Sequence, residues 1–386
     1  MNHEWVDDQG TFDALVTRAA AAERIAVDTE FHRERTYWPR VALVQIAIAN
    51  DIFLIDPLEV DLAPFASVLE SDTLIIMHAS SQDLEVLDRA CGVLPRHLFD
   101  TQIAAGFSGM STPSLSSLVE RYVGVVLPKG DRLTDWFERP LRPTQQNYAA
   151  SDVLYLFDLH DRLTEDLRKR GRLSWISAEC DPSNWYTKPA LPVEFAWTRI
   201  KEARHLRGQA RCVMSVLAEW RERAAQSKDL PTRFILSDLA LVGVAQRAPR
   251  TSQDLQGIRG LDGRYLKQGS AEEILSVVQK GLQRTPEDVP TLETDEGPKL
   301  DKELRAAVTL VSAWVSQVAK DEELDPALLA TRADIVDVLR KSKDARLSSG
   351  WRSDLVGSRI QDLVTGRASV AFDPHGGLVL EPRFEP

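Results

Sequence analysis

The sequence predicts an α/β domain with a mixed sheet, followed by two small all-α helical domains. Three observations carry this: strand and helix signals alternate over the first 180 residues, helical periodicity alone follows, and two Pro-rich stretches divide the chain.

In the first part, residues 24–31, 40–48 and 51–55 are short β-branched runs with tight connections, as in a meander. A helix near 63–70, a strand at 73–77 and a helix at 82–91 follow. One long helix closes the domain: Pro143 suits its first turn, Arg168, Lys169 and Arg170 its last, and Gly171 its stop. Residues 181–192, with Pro182, Pro189 and Pro192, and residues 285–298, with Pro286, Pro290 and Pro298, read as linkers. Between them lie helical segments at 199–223, 236–245 and 271–282. After the second linker the pattern returns in weaker form at 302–318, 326–330, 335–339 and 354–365.

The chain has 386 residues, with 47 Lys and Arg against 58 Asp and Glu, a formal charge of −11. That total argues against a nucleic-acid partner until it is divided. Residues 1–198 hold 18 basic and 30 acidic side chains, 199–284 hold 16 and 9, and 285–386 hold 13 and 19. A basic module of +7 is therefore set in an acidic protein. The apolar run 41–49 falls far short of the ~20 residues a membrane helix needs. The start is polar, without the pattern of a signal peptide, and the 3 cysteines lack metal-type spacing or an even count. A reducing cytoplasm and no membrane are the expectation.

Several carboxylates occupy positions that need a reason. In the strand 25–31, period-2 geometry puts Ile25, Val27, Thr29 and Phe31 on one face and Asp28 and Glu30 on the other, which suits either a wet face or a charged site. In the long helix the apolar stripe Leu156, Leu159, Leu163, Leu167 steps back by four to Asp152 and Tyr148. An inward Asp is costly unless paired, hydrogen-bonded or bound to metal, whereas a Tyr there can be ordinary core. Asp83 lies in a first helical turn with Ser80 or Ser81 as N-cap. The helix dipole accounts for it, and so does the habit of α/β folds of building sites at strand carboxyl ends. His78 reads as a core histidine.

These segments, Val27-Asp28-Thr29-Glu30-Phe31, His78-Ala79-Ser80-Ser81-Gln82-Asp83-Leu84 and Tyr148-Ala149-Ala150-Ser151-Asp152-Val153-Leu154-Tyr155-Leu156, resemble the three exonuclease motifs of the DEDD superfamily, tyrosine branch. Phe99-Asp100-Thr101 and Thr134-Asp135-Trp136 also resemble family segments. Leu217-Ala218-Glu219-Trp220-Arg221, Asp229-Leu230-Pro231 and Leu255-Gln256-Gly257-Ile258-Arg259-Gly260-Leu261 are similar to the helicase-and-RNase-D C-terminal (HRDC) domain. The third part looks like a divergent copy that has lost the tight Gly turn, and the whole layout resembles bacterial ribonuclease D.

The resemblance implies a ribonuclease H-like exonuclease domain at 1–180, a linker and connecting helix at 181–207, an HRDC domain at 208–284, a linker at 285–299, an HRDC-like domain at 300–375 and a tail at 376–386. It implies a 3′–5′ exoribonuclease that releases nucleoside 5′-monophosphates, acting on tRNA precursors and other small structured RNAs. Asp28, Glu30, Asp83 and Asp152 would hold two divalent ions, Mg²⁺ with Mn²⁺ as substitute, and all-oxygen ligation of charge −4 suits such hard cations. Tyr148 would orient the attacking water. Thr29, Phe31, Lys129, Arg132 and Trp136 are implied substrate contacts, with core packing an equal reading for Phe31. Arg204, Arg207, Arg211, Arg221, Arg223, Arg233, Arg247, Arg250, Arg259 and Lys267 would grip the body of an RNA, though charged faces are usually only solvated. A DNA 3′–5′ exonuclease shares the same carboxylates, and a non-catalytic RNA-binding scaffold would be expected to lack one of them.

Overall fold

The computed structural model describes residues 2–127, 134–181, 191–261, 269–290 and 302–383. The chain forms two compact units. The first comprises residues up to Glu30, Val41–Thr187 and the chain from Pro298; the second comprises Phe31–Arg40 and Lys188–Gly297.

The first unit begins with β1 (Glu4–Val6) and α1 (Gln9–Ala20), whose N-cap Asp8 accepts from the Thr11 N–H at 2.8 Å. β2 (Arg24–His32), β3 (Arg40–Ile48) and β4 (Asp51–Ile55) follow, then α2 (Ala66–Leu69), β5 (Leu74–Met77), α3 (Ser81–Cys91) and β6 (Leu98–Asp100). The six strands form one mixed sheet in the order β1-β4-β3-β2-β5-β6. β3 and β4 run antiparallel, while β2, β5 and β6 run parallel. That parallel trio brings the carboxyl ends of three strands to one edge, where their following segments meet.

Helices α4 (Thr101–Gly106), α5 (Leu115–Val123), α6 (Pro143–Leu154), α7 (Leu156–Lys169) and α8 (Leu173–Glu179) cover the sheet. The single long helix predicted at 147–170 is in fact two. Tyr155, at φ −103° and ψ 4°, leaves helical geometry and breaks the register. Leu156, Leu159, Leu163 and Leu167 are the buried stripe of α7, as expected. The stripe does not continue across the break. α6 buries Gln145, Ala149, Ala150 and Val153 instead, leaving Tyr148 and Asp152 half-buried on its flank.

The third part of the chain belongs to this same unit. Its α14 (Lys302–Asp321), α15 (Pro326–Leu329), α16 (Arg332–Leu339) and α17 (Ser358–Val364) share one continuous core with the sheet domain, with Val311, Trp314, Leu329 and Trp351 among the buried side chains. The joint is close: a Cβ on Gly106 would lie 2.4 Å from Leu328 Cδ1, and the Asp325 N–H donates to the Gly106 carbonyl at 2.8 Å. Glu179 of α8 accepts from Arg352 at 2.5 Å and Arg346 at 3.0 Å, and the Trp175 ring stacks on Trp351 at 4.7 Å. This part is not all helix. β7 (Ala368–Phe372) and β8 (Leu378–Pro382) form an antiparallel hairpin where only a helical domain and a tail were expected.

The second unit is built on α9 (Gly208–Lys228), packed with α10 (Thr232–Ile235), α11 (Asp238–Arg247), α12 (Ser252–Leu255) and α13 (Ser270–Gln283). Cys212, Val213, Leu217, Leu241, Val244, Ile274 and Val278 form its core. α9 and α13 cross where Gly281 allows it, since a Cβ there would lie 2.6 Å from Val213 Cα. The helix predicted from 199 starts later, because 3₁₀ turns occupy Val193–Arg199 and Lys201–His205.

Candidate active site

β2 carries Asp28 and Glu30 near its carboxyl end, both half-buried, on either side of the buried Thr29. Parallel pairing of β2 with β5 places the turn after Met77 beside them, and α3 rises from that turn with Asp83 in its first turn. Thr29 does not face solvent. It is 6% exposed, and its hydroxyl donates to Asp83 Oδ1 at 2.5 Å, tying the first segment to the second.

The electrostatics confirm that these groups crowd one another. Burial pushes the Asp28 carboxyl well above the ordinary range, and the charges of Asp83, Asp152 and Glu30 push it further. Burial likewise lifts Asp83 to about 6, against the opposing hydrogen bond from Thr29. Asp152 on α6 is thus within electrostatic reach of Asp28, and its helix also presents Tyr148 one turn earlier. Among the described residues no three such side chains are drawn into a single coordination shell. Like charges at this density repel, and Asp83 is turned onto Thr29. The donor set is all oxygen and in excess of negative charge, which fits hard divalent cations and no soft metal.

Trp136, a substrate contact implied by the resemblance, is 5% exposed. Its ring lies 6.1 Å from that of Tyr148, so it packs behind the tyrosine. Its segment is fastened by residues that sequence reading missed: buried Gln145 donates to Thr134 Oγ1 at 2.8 Å, and Arg139 donates to the Trp136 carbonyl at 2.7 Å and to Asp56 Oδ1 at 2.7 Å. A buried Gln one turn before Tyr148 was the only available signal. Phe31, grouped with the second unit, is half-buried with the Arg33 guanidinium 5.4 Å above its ring. Lys129, Arg132 and Lys267 lie outside the described residues.

In the second unit Arg221 is 5% exposed and is committed to the Leu236 carbonyl at 2.9 Å and Asp238 at 2.6 Å. It is an internal tie, unlike its exposed neighbours Arg204, Arg207, Arg223, Arg233, Arg247, Arg250 and Arg259. Arg211 lies over Trp197 at 4.7 Å.

Comparison with known proteins bears on these two units directly. Residues 3–168 match the 3′–5′ exonuclease family model and residues 210–278 the HRDC domain model. The chain is 34% identical over 380 residues to ribonuclease D of Sphingobium indicum, covering 96% of each, and 32% identical over 377 residues to that of Escherichia coli, covering 94% of this chain and 99% of the relative. The chain belongs to the ribonuclease D family. The crystal structure of Escherichia coli ribonuclease D superposes with a TM-score of 0.83 at 31% identity, over 95% of this chain and 99% of the other. This ribonuclease D relative is accordingly a metal-dependent 3′–5′ exoribonuclease with an HRDC domain after its catalytic domain. No helix among its described residues is long and apolar enough to cross a membrane.

Proposed function

We propose that the chain trims the 3′ ends of tRNA precursors and other small structured RNAs in the cytoplasm, with Asp28, Glu30, Asp83 and Asp152 holding two Mg²⁺ ions. What supports this is the meeting of these segments: Thr29 of β2 donates to Asp83 of α3 at 2.5 Å, and Asp28, raised first by burial, also feels the charges of Asp83, Asp152 and Glu30. Burying like charges side by side costs free energy unless protons or cations neutralise them, and divalent cations would do so at neutral pH. Bound there, the ions supply Lewis acidity and charge neutralisation for in-line hydrolysis of the terminal phosphodiester. Thr29 holds Asp83, and Tyr148, backed by Trp136, orients the attacking water. A phenol of ordinary pKa, about 10, orients better than it deprotonates. Phe31, Lys129 and Arg132 are the proposed contacts to the 3′-terminal nucleotides, and Mn²⁺ would substitute for Mg²⁺.

The domain division follows from the same reading: catalytic domain 1–180, connection 181–207, HRDC domain 208–284, linker 285–299 and a divergent HRDC-like part from 300, within the first unit, that ends in the β7–β8 hairpin in place of a tail. What supports the second HRDC-like domain is its order of elements. In the second unit a long helix leads through Asp229-Leu230-Pro231 to the four-residue α10 and to α11, N-capped by Ser237. In the third part a long helix leads through Asp325-Pro326 to the four-residue α15 and to α16, N-capped by Thr331.

Titration with Mn²⁺ tests the site. Two ions per chain are expected for the native protein, and fewer for Asp28→Asn and Asp152→Asn. Full stoichiometry in both variants would refute the assignment. Competition between a tRNA precursor with a 3′ extension and unstructured RNA of equal length tests the substrate: the extension should be removed faster, and equal rates would remove the structured-RNA reading.

A further inference from the structure

Asp100 is the last residue of β6, 2% exposed, and no guanidinium, ammonium or imidazole is paired with it among the described ion pairs. Its carboxylate is instead filled with hydrogen bonds from one turn and one helix end. Oδ1 accepts from the Ala79 N–H at 3.0 Å, the Gln102 N–H at 2.8 Å and the Ile103 N–H at 3.4 Å. Oδ2 accepts from the Ser80 N–H at 2.8 Å and the Ser80 hydroxyl at 2.8 Å.

The turn so held is the one from which α3 starts. Ala79 sits there in the left-handed region at φ 55°, a conformation that costs a non-glycine residue about 1 kcal/mol and persists only where its surroundings impose it. Ser80 follows in the N-cap position but makes no side-chain cap, because its hydroxyl is given to Asp100. The Ser80 carbonyl accepts the first helical bond, from Leu84 N–H at 2.9 Å, so its placement sets the start of α3. Asp83 lies three residues beyond Ser80. With both oxygens committed to five bonds, Asp100 has no lone pair left to reach a ligand.

We propose that Asp100 is a positioning residue for the reaction: it imposes the Ala79–Ser80 turn and so fixes where α3 aims Asp83. This rests on the reading of Asp83 as a metal ligand. Asp100→Asn keeps the shape but places an amide N–H₂ against N–H donors, so at least one turn bond is lost. Groups that orient metal ligands cost about 10- to 100-fold in metal affinity when removed.

The test is Mn²⁺ affinity of the folded full chain, read by the signal of free Mn²⁺ and so independent of turnover, alongside kcat and KM for RNA. Asp100→Asn should bind Mn²⁺ about tenfold or more weakly, with kcat lowered at subsaturating metal, partly restored at high metal, and KM for RNA within twofold. Ser80→Ala, which removes one of the five bonds and should fold in any case, should move Mn²⁺ affinity in the same direction by less. Native Mn²⁺ affinity in both variants would overturn the proposal. Asp83→Asn is the control: if it too leaves Mn²⁺ binding unchanged, the metal assignment itself has failed, whereas a loss in Asp83→Asn with none in Asp100→Asn rejects only the positioning role.

Discussion

Asp28 and Asp83 are carboxylates that burial and their neighbours hold in the protonated form to higher pH than usual. A folded-state pKa raised above the unfolded value makes a stability contribution that is present below the unfolded pKa and lost as pH rises through the folded one. For Asp83, with an unfolded value of about 4 and a folded value of about 6, that window is the interval between them and just above. In the metal-free protein, melting temperatures at pH 5 and pH 8 should show Asp83→Asn gaining on the native chain as pH rises. Mg²⁺ should reverse the order at pH 8, since only the native chain has the full carboxylate set. A constant difference across the range would mean that Asp83 is not charged at a cost. Tyr148→Phe is expected to lower kcat while leaving RNA affinity near native; single-turnover rates at saturating RNA check this, and an unchanged rate would remove Tyr148 from the chemistry.

At the scale of elements, the third part of the chain acts as a wall of the catalytic domain. Burial would push the Glu179 carboxyl upward, yet the Arg352 and Arg346 guanidiniums hold it below the ordinary range. Trp351, 7% exposed, packs against both Trp175 at 4.7 Å and Phe107 at 5.3 Å. Trp351→Ala should therefore destabilise the exonuclease domain by roughly 3–5 kcal/mol, and Arg352→Leu, which strips a buried partner from Glu179, by a similar ~3–5 kcal/mol. Thermal melting followed by the loss of exonuclease activity measures both; melting near native would mean that the third part is only appended.

Much at this scale was legible in the sequence. The β-branched runs gave β2 to β5, and Pro143 gave the start of α6, because each depends on local preferences. The break at Tyr155 was not legible, since nothing in Val153-Leu154-Tyr155-Leu156 forbids helix and only tertiary packing rotates α7 onto its leucines. That miss misplaced Asp152 on the inward stripe, whereas it lies half-buried on the flank of α6. The β7–β8 hairpin had a signal that was passed over: alternating residues on either side of Asp373-Pro374-His375-Gly376-Gly377, whose Asp373 side chain accepts from the His375 N–H at 2.8 Å. Asp100 could not be read as a clamp on the Ala79–Ser80 turn, because the groups it holds there lie about 20 residues earlier in the chain.

For the whole molecule, the net charge of −11 conceals a division of labour. On the proposed reading, part of the first domain's acid is a cluster that cations would neutralise, and the basic module would supply attraction for phosphates. The structure refines that surface by withdrawing Arg221, which is spent inside the second unit. Arg221→Gln is expected to lower stability without altering the salt dependence of RNA binding. The exposed set Arg247→Gln, Arg250→Gln and Arg259→Gln together should weaken binding of a tRNA-sized RNA and flatten the plot of log affinity against log salt by roughly 0.7–0.9 per lost phosphate contact. Filter binding at several salt concentrations separates the two, and an unchanged slope in the triple variant would remove these arginines from the interface.

The central claim is that four carboxylates and divalent ions perform stepwise 3′ hydrolysis, and end-labelled RNA tests it most directly. The native protein and Asp28→Asn are incubated with 5′-labelled RNA, and with DNA of the same sequence, with Mg²⁺ and with excess chelator. The native protein with Mg²⁺ should yield a ladder shortening from the 3′ end of the RNA, nucleoside 5′-monophosphates as product and weaker action on DNA, while chelator or Asp28→Asn abolishes it. Hydrolysis that persists in chelator, or an undiminished ladder from Asp28→Asn, would contradict the account.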